Sequence, residues 1–154
     1  MVFEKRFNVK SIFTGNEWLT NQAVILQHNV LVGFCPKDSA YPEIDLLIPS
    51  FIDLQVYGAA NHLFSAFPSR QTLDLMYHTF KREGTHFFLP TIATNDITVV
   101  AEGIKAVKEY WENNGKGCLG LHLEGPWINP AKRGAHDERF IKVPTLTEVK
   151  VLLS

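Results

Sequence analysis

The chain has 154 residues, 45% of them hydrophobic and 12% aromatic, enough material for one average domain with a core. Its 15 Lys and Arg face 16 Asp and Glu, so the basic footprint that nucleic-acid binding needs is missing. No apolar run approaches the roughly 20 residues that span a bilayer, and Met1 to Lys10 mixes charge with apolar residues instead of forming a signal peptide, so a cytoplasmic protein without nucleic-acid or membrane partners is expected.

Residues 1–48 read as a small antiparallel β domain, a β-sandwich segment. Phe3, Phe7, Val9, Ile12 and Phe13 mark a first β-rich run, ended by Thr14-Gly15-Asn16. Ala23 to Leu26 and Val30 to Phe34 form a second, with Gln27-His28-Asn29 as the hairpin tip, and Pro36 to Pro42 make a polar loop. Cys35 and Cys118 stand in no CxxC pattern and read as reduced thiols buried in strands.

From residue 49 to 154 short apolar strands alternate with amphipathic helices. Leu47 to Val56 is a near-continuous apolar run, as in a strand covered on both faces. A helix is predicted over 70–83 from Leu73, Met76, Tyr77 and Phe80, with Gly84 at its end. A strand at His86 to Leu89 follows, closed by Pro90-Thr91. The next helix carries Ile97, Val100, Ala101, Ile104, Val107 and Trp111 on one stripe behind an Asn95 or Asp96 cap, and Gly115 to Gly117 end it. Cys118 to Leu123 is the third strand, and Thr145-Leu146-Thr147-Glu148 matches a capping box. Strand starts near 51, 86 and 118 recur at the spacing of βα units, which favours a parallel sheet. A complete (β/α)8 barrel takes about 250 residues. An α/β fold is therefore expected, with about three βα units as the first part of a TIM-like barrel.

The chemistry concentrates at strand ends. Asp53, Gln55 and Tyr57 share one strand face, although Asp53 and Gln55 equally suit turn and backbone hydrogen bonding. Gln55-Val56-Tyr57 stands where a binuclear hydrolase of the barrel type would show His-x-His, which favours one metal over two. Thr91 and Thr94 could hydrogen-bond a ligand at the strand mouth, but beside Pro90 they read first as turn residues, and His86 reads as a structural histidine. His122 and Glu124 lie two apart before the Gly125-Pro126 break. A carboxylate there is too costly to bury unless it is paired or binds a cation, yet a bond to Arg133 or to backbone amides would meet the same need. His122 reads as orienting Glu124 or a substrate. Lys132, Arg133 and His136, around a small Gly134-Ala135 backbone, suit phosphate or sugar hydroxyls, though a solvated loop would look the same.

Together Ile48-Pro49-Ser50-Phe51-Ile52-Asp53-Leu54-Gln55, Phe88-Leu89-Pro90-Thr91, His122-Leu123-Glu124-Gly125-Pro126 and Lys132-Arg133-Gly134-Ala135-His136 resemble the N-acetylglucosamine-6-phosphate deacetylase family of the amidohydrolase superfamily. The resemblance covers essentially the whole chain, but only the amino-terminal two-fifths or so of a family member. It departs at Ser50, where the family usually has Gly, and at Ala59-Ala60 in a glycine-rich turn. The resemblance implies metal-dependent hydrolysis of N-acetylglucosamine 6-phosphate to glucosamine 6-phosphate and acetate, with zinc foremost and iron or manganese as alternatives. It makes Glu124 a metal ligand and Ala135 and His136 contacts to the sugar. The proton-transferring aspartate, two histidine ligands and the main phosphate contacts belong to later strands of the family, so no catalytic residue is assigned in this chain. The isolated chain is expected to be inactive and, with a bare strand edge, to self-associate as a homo-oligomer. A non-catalytic sugar-phosphate-binding protein and another mononuclear amidohydrolase are the alternatives.

Overall fold

A computed structural model of the chain describes residues 4–152. It divides into two compact units, one up to Ser50 and one from Phe51 onward. Phe3, expected in the first strand, lies outside the described residues.

The first unit is one four-stranded sheet of β1 (Glu4–Phe13), β2 (Trp18–Gln27), β3 (Val30–Pro36) and β4 (Glu43–Leu47), in the order β3-β2-β1-β4. Two tight reversals create it. Thr14 Oγ1 accepts bonds from the Asn16 and Glu17 amides between β1 and β2, and His28 and Asn29 take φ of 50° and 64° between β2 and β3, the left-handed pair that suits a two-residue hairpin. Val9, Ile12 and Val24 form the core of this unit. One expectation about the sheet changes: β4 runs parallel to β1, so the four-stranded sheet is mixed and not antiparallel throughout. The parallel return needs a crossing loop whose backbone is satisfied, and buried Asn8 supplies that. Its amide donates to the Asp38 and Tyr41 carbonyls at 2.7 and 3.1 Å and accepts from the Asp38 N–H at 3.1 Å. Cys35, expected to be buried, is half-buried.

The second unit is α/β. Its strands β5 (Phe51–Val56), β8 (Thr85–Ala93) and β9 (His122–Glu124) form a parallel sheet in the order β5-β8-β9, and a small hairpin of β6 (Gly58–Ala59) and β7 (His62–Leu63) follows β5. Helix α1 (Arg70–Arg82) links β5 to β8, α2 (Ile97–Glu112) links β8 to β9, and α3 (Leu146–Leu152) follows. Chain order and sheet order coincide.

Both long helices begin on side-chain caps. Ser69 Oγ accepts from the Thr72 amide at 3.2 Å and Asp96 Oδ1 from the Thr98 amide at 2.8 Å, each satisfying an otherwise orphaned helix donor. The Thr145 capping box forms as read, with Glu148 Oε2 accepting from Thr145 N–H at 3.1 Å and Thr145 Oγ1 from Glu148 N–H at 3.3 Å. Leu73, Met76 and Tyr77 of α1 pack with Phe88 and Ile92 of β8 and with Val100, Val107 and Tyr110 of α2. The buried stripe of α2 is rotated from the expected one. It runs Val100, Gly103, Ala106, Val107 and Tyr110, while Ile97, Ala101 and Trp111 are exposed. The reason is close approach: a Cβ at Gly103 would stand 2.5 Å from Ile92 Cδ1, so the glycine is where the helix meets the sheet. Small residues, not large ones, mark the contact face.

Strand boundaries shift for backbone reasons. The run Leu47 to Val56 is two strands in two units, broken at Ile48-Pro49-Ser50. β8 continues through Pro90 to Ala93 because its ladder with β5 is irregular there, between Asp53 and Val56, so the missing proline N–H interrupts no regular bond. Cys118 makes only an isolated bridge to Phe88, and the third strand is confined to His122–Glu124. β5 was expected to be covered on both faces, yet Phe51, Ile52 and Leu54 are 57, 56 and 58% exposed. Burial in a parallel strand comes from neighbours, and β5 pairs only with β8 among the described residues.

Candidate functional site

The carboxyl ends of β5, β8 and β9 lie side by side, because a parallel sheet puts all strand ends on one edge. Glu124 ends β9 and carries its carboxylate there. Tyr57, just after β5, donates its phenol proton to Glu124 Oε2 and accepts from Gln55 Nε2 at 2.9 Å. Glu124 Oε1 lies 3.4 Å from His136 Nε2. The Tyr57 bond, above all, holds the Glu124 carboxyl below its ordinary value, with the charge of His136 adding to it against some desolvation. The same bond raises the Tyr57 phenol. Glu124 is therefore a fixed, ionised carboxylate, with its side chain 32% exposed.

The loop after β9 folds back over it. Asn129 and Asp137 cap two short 3₁₀ turns, Pro130–Lys132 and Glu138–Phe140, and Arg133 Nη1 donates to the His136 carbonyl at 3.0 Å while His136 N–H donates to the Arg133 carbonyl at 3.1 Å. This clasp presents His136 to Glu124. A cavity of about 690 Å³ opens here, lined by Tyr57, Glu124, Asn129, Lys132, Arg133 and the Gly134-Ala135-His136 backbone and side chains.

The residues singled out in the sequence separate into two groups. Glu124, Ala135 and His136 all border this cavity. His122 does not bond Glu124, as expected of an orienting residue; its Nδ1 lies 2.8 Å from the Leu54 carbonyl, tying β9 to β5. Arg133 pairs with Glu138 at 3.6 Å and leaves Glu124 to Tyr57 and His136. Asp53 accepts from the Gln55 amide at 3.0 Å, a turn role. Thr91 bonds the Leu89 carbonyl at 3.3 Å. Two contributors were missed. The sequence weighs Tyr57 as a metal ligand and not as a hydrogen-bond donor to Glu124, and it favours a turn role for Thr94, although Thr94 bonds the Glu124 carbonyl and touches His136.

Among the described residues no three His, Cys, Asp or Glu side chains converge enough to enclose a metal ion. An ionised carboxylate facing a cavity nevertheless has the donor chemistry that a divalent cation takes, so Glu124 fits one position of such a site.

No family model matches the chain. It is 31% identical over 138 residues to the N-acetylglucosamine-6-phosphate deacetylase of Haemophilus influenzae, covering 85% of this chain and 36% of that protein. The likeness to N-acetylglucosamine-6-phosphate deacetylase is borne out. An N-acetylgalactosamine-6-phosphate deacetylase of a Shewanella strain is 40% identical over 96 residues, covering 62% of this chain and 24% of that protein. The crystal structure of N-acetylglucosamine-6-phosphate deacetylase from Pasteurella multocida superposes with a TM-score of 0.84 at 28% identity, over 97% of this chain and 41% of that one. The Mycobacterium smegmatis deacetylase shares the fold, with a TM-score of 0.80. This chain thus spans between a quarter and two-fifths of the length of the deacetylases it matches. Among the described residues no helix is long and apolar enough to cross a membrane.

Proposed function

We propose that the chain supplies one corner of the active site of a metal-dependent deacetylase that converts N-acetylglucosamine 6-phosphate to glucosamine 6-phosphate and acetate. The observation that carries this reading is the convergence of Glu124 and the Ala135-His136 loop on one cavity, at the end of a parallel sheet and in a chain similar to such deacetylases. In this reading residues 1–48 form the amino-terminal β domain, and the sheet from residue 49 onward opens a (β/α)8 barrel whose carboxyl-terminal edge holds the chemistry. Glu124 is a ligand of a divalent cation, zinc foremost, with iron or manganese as alternatives, and the cation when bound acidifies water and polarises the acetamide carbonyl. Tyr57 keeps Glu124 ionised and in place. Ala135 offers its small backbone and His136 its ring to the sugar.

The test is acetate release. The chain, expressed with the reading frame that follows it in its gene, is expected to deacetylate N-acetylglucosamine 6-phosphate, and Glu124→Gln to lower both bound metal and kcat/KM by about a hundredfold or more. A following frame without two further histidine ligands and an aspartate would sink the proposal, and so would comparable turnover by the 154 residues alone, which are expected to be inactive. The 40% identity to an N-acetylgalactosamine-6-phosphate deacetylase favours one second reading, the galacto epimer as substrate. Parallel assays of the two epimers decide between them. Self-association belongs to the same reading, since β5 and β9 each pair on one side only among the described residues; a monodisperse monomer by light scattering would count against it.

A further inference from the structure

A second cavity, of about 480 Å³, lies between α1 and the turn that leaves α2, and it shares no residue with the cavity at Glu124. Tyr77 and Tyr110 border it, and the turn is built onto their rings. A Cβ at Gly115 would stand 2.3 Å from Tyr110 Cδ1, and one at Gly117 2.6 Å from Tyr77 Cδ2. Tyr110 commits its hydroxyl to the Lys116 carbonyl at 2.9 Å. Tyr77 is buried too, only 6% exposed, yet its hydroxyl bonds no other described residue. Nor is that hydroxyl sealed in, since the one enclosed side-chain polar atom without a partner among the described residues is Trp127 Nε1. A buried tyrosine ordinarily gives its O–H a partner, so this one is a donor and acceptor held open at the cavity.

The charge around the cavity is one-sided. Arg70, Lys81 and Lys116 border it, and none of them pairs with a carboxylate among the described residues, in a chain of net charge −1. Lys81 Nζ stands 5.7 Å from the centre of the Tyr77 ring. Asp74, the one carboxylate of the lining, lies four residues beyond Arg70 but meets His78 instead, at 3.8 Å. Unpaired cations around a concavity draw in an anion. From this we infer that the cavity is a second ligand site, which takes a small phosphate ester carrying hydroxyl groups. The cations and the Tyr77 O–H meet the phosphate, while Asp74 repels it and takes the hydroxyls, together with the amides of Gln71 and Asn114. The volume falls within the roughly 300–1,000 Å³ of small-molecule sites.

The full chain holds four tyrosines, so 3-fluorotyrosine labelling gives four ¹⁹F signals, with that of Tyr77 assigned by Tyr77→Phe. These signals divide by cavity, since Tyr77 and Tyr110 border this one and Tyr57 the one at Glu124. Titration with glucose 6-phosphate is expected to shift Tyr77 saturably. The double variant Arg70→Ala, Lys116→Ala should weaken that response about tenfold or more and leave the response of Tyr57 as in wild type. Both side chains are exposed, and an unmoved Tyr41 signal checks that the fold is kept. Inorganic phosphate should shift Tyr77 at about tenfold higher concentration, and uncharged glucose should not shift it. A Tyr77 signal that ignores glucose 6-phosphate while Tyr57 moves would overturn the inference, and so would a response that survives loss of both cations. Equal affinity for inorganic phosphate would sink the ester, and an equal response to glucose the phosphate.

Discussion

β5 and β8 are adjacent strands of one sheet with similar apolar content, and they have opposite fates. In β8, Phe88, Pro90, Thr91 and Ile92 are essentially inaccessible, because β5 and β9 flank the strand and α1 and α2 cover it. In β5, Phe51, Ile52 and Leu54 are more than half exposed. The contrast teaches that an apolar run reports what a strand can bury, while its neighbours decide what it does bury.

The largest test of that contrast is paired truncation. Phe88→Ala removes a ring from the core cluster and should destabilise the second unit by about 3–5 kcal/mol. Leu54→Ala should stay within about 0.5 kcal/mol. Urea unfolding followed by circular dichroism compares the two, and equal costs would break the contrast. Next in size is Gly125→Ala, at the far end of β9. Both its positive φ and the 2.0 Å approach of its new Cβ to Thr94 Oγ1 oppose it, so a loss of about 1–3 kcal/mol is expected by the same measurement.

The smallest effect tests the polar end of β5. Tyr57→Phe deletes the bond that chiefly lowers the Glu124 carboxyl, and ¹³C titration should show that carboxyl rising toward its ordinary 4.5. The sign follows from linkage. A carboxyl lowered in the folded state contributes stability that is present above its unfolded value and lost as pH falls through its folded value. Wild type should therefore lose more stability than Tyr57→Phe between about pH 5 and the lowered folded value, and parallel acid-unfolding curves would contradict the assignment.

Much of this was legible in the residues because it is local. Helical spacing placed α1, a capping box placed the start of α3, and Glu124 before Gly125-Pro126 drew notice as a carboxylate in need of a partner. What escaped depends on distance along the chain. Tyr57 meets Glu124 across 67 positions, and Thr94 meets His136 across 42, so no spacing rule announces either contact. The parallel return of β4 and the small-residue face of α2 escaped for a related reason. Loop crossings and close backbone approach leave their mark as an Asn8 or a Gly103, residues with many other uses.

The two cysteines fall one to each unit, and this makes the protein its own reporter. Cys35 is half-buried in β3, while Cys118 is enclosed beside Phe88, with its thiol pushed up to about 11 by burial and its Sγ donating to the Gly120 carbonyl. An alkylating reagent needs the thiolate and an open path, and Cys118 lacks both until the second unit opens. The mass of a singly labelled chain would then time the breathing of one unit against the other, without a probe being engineered into either.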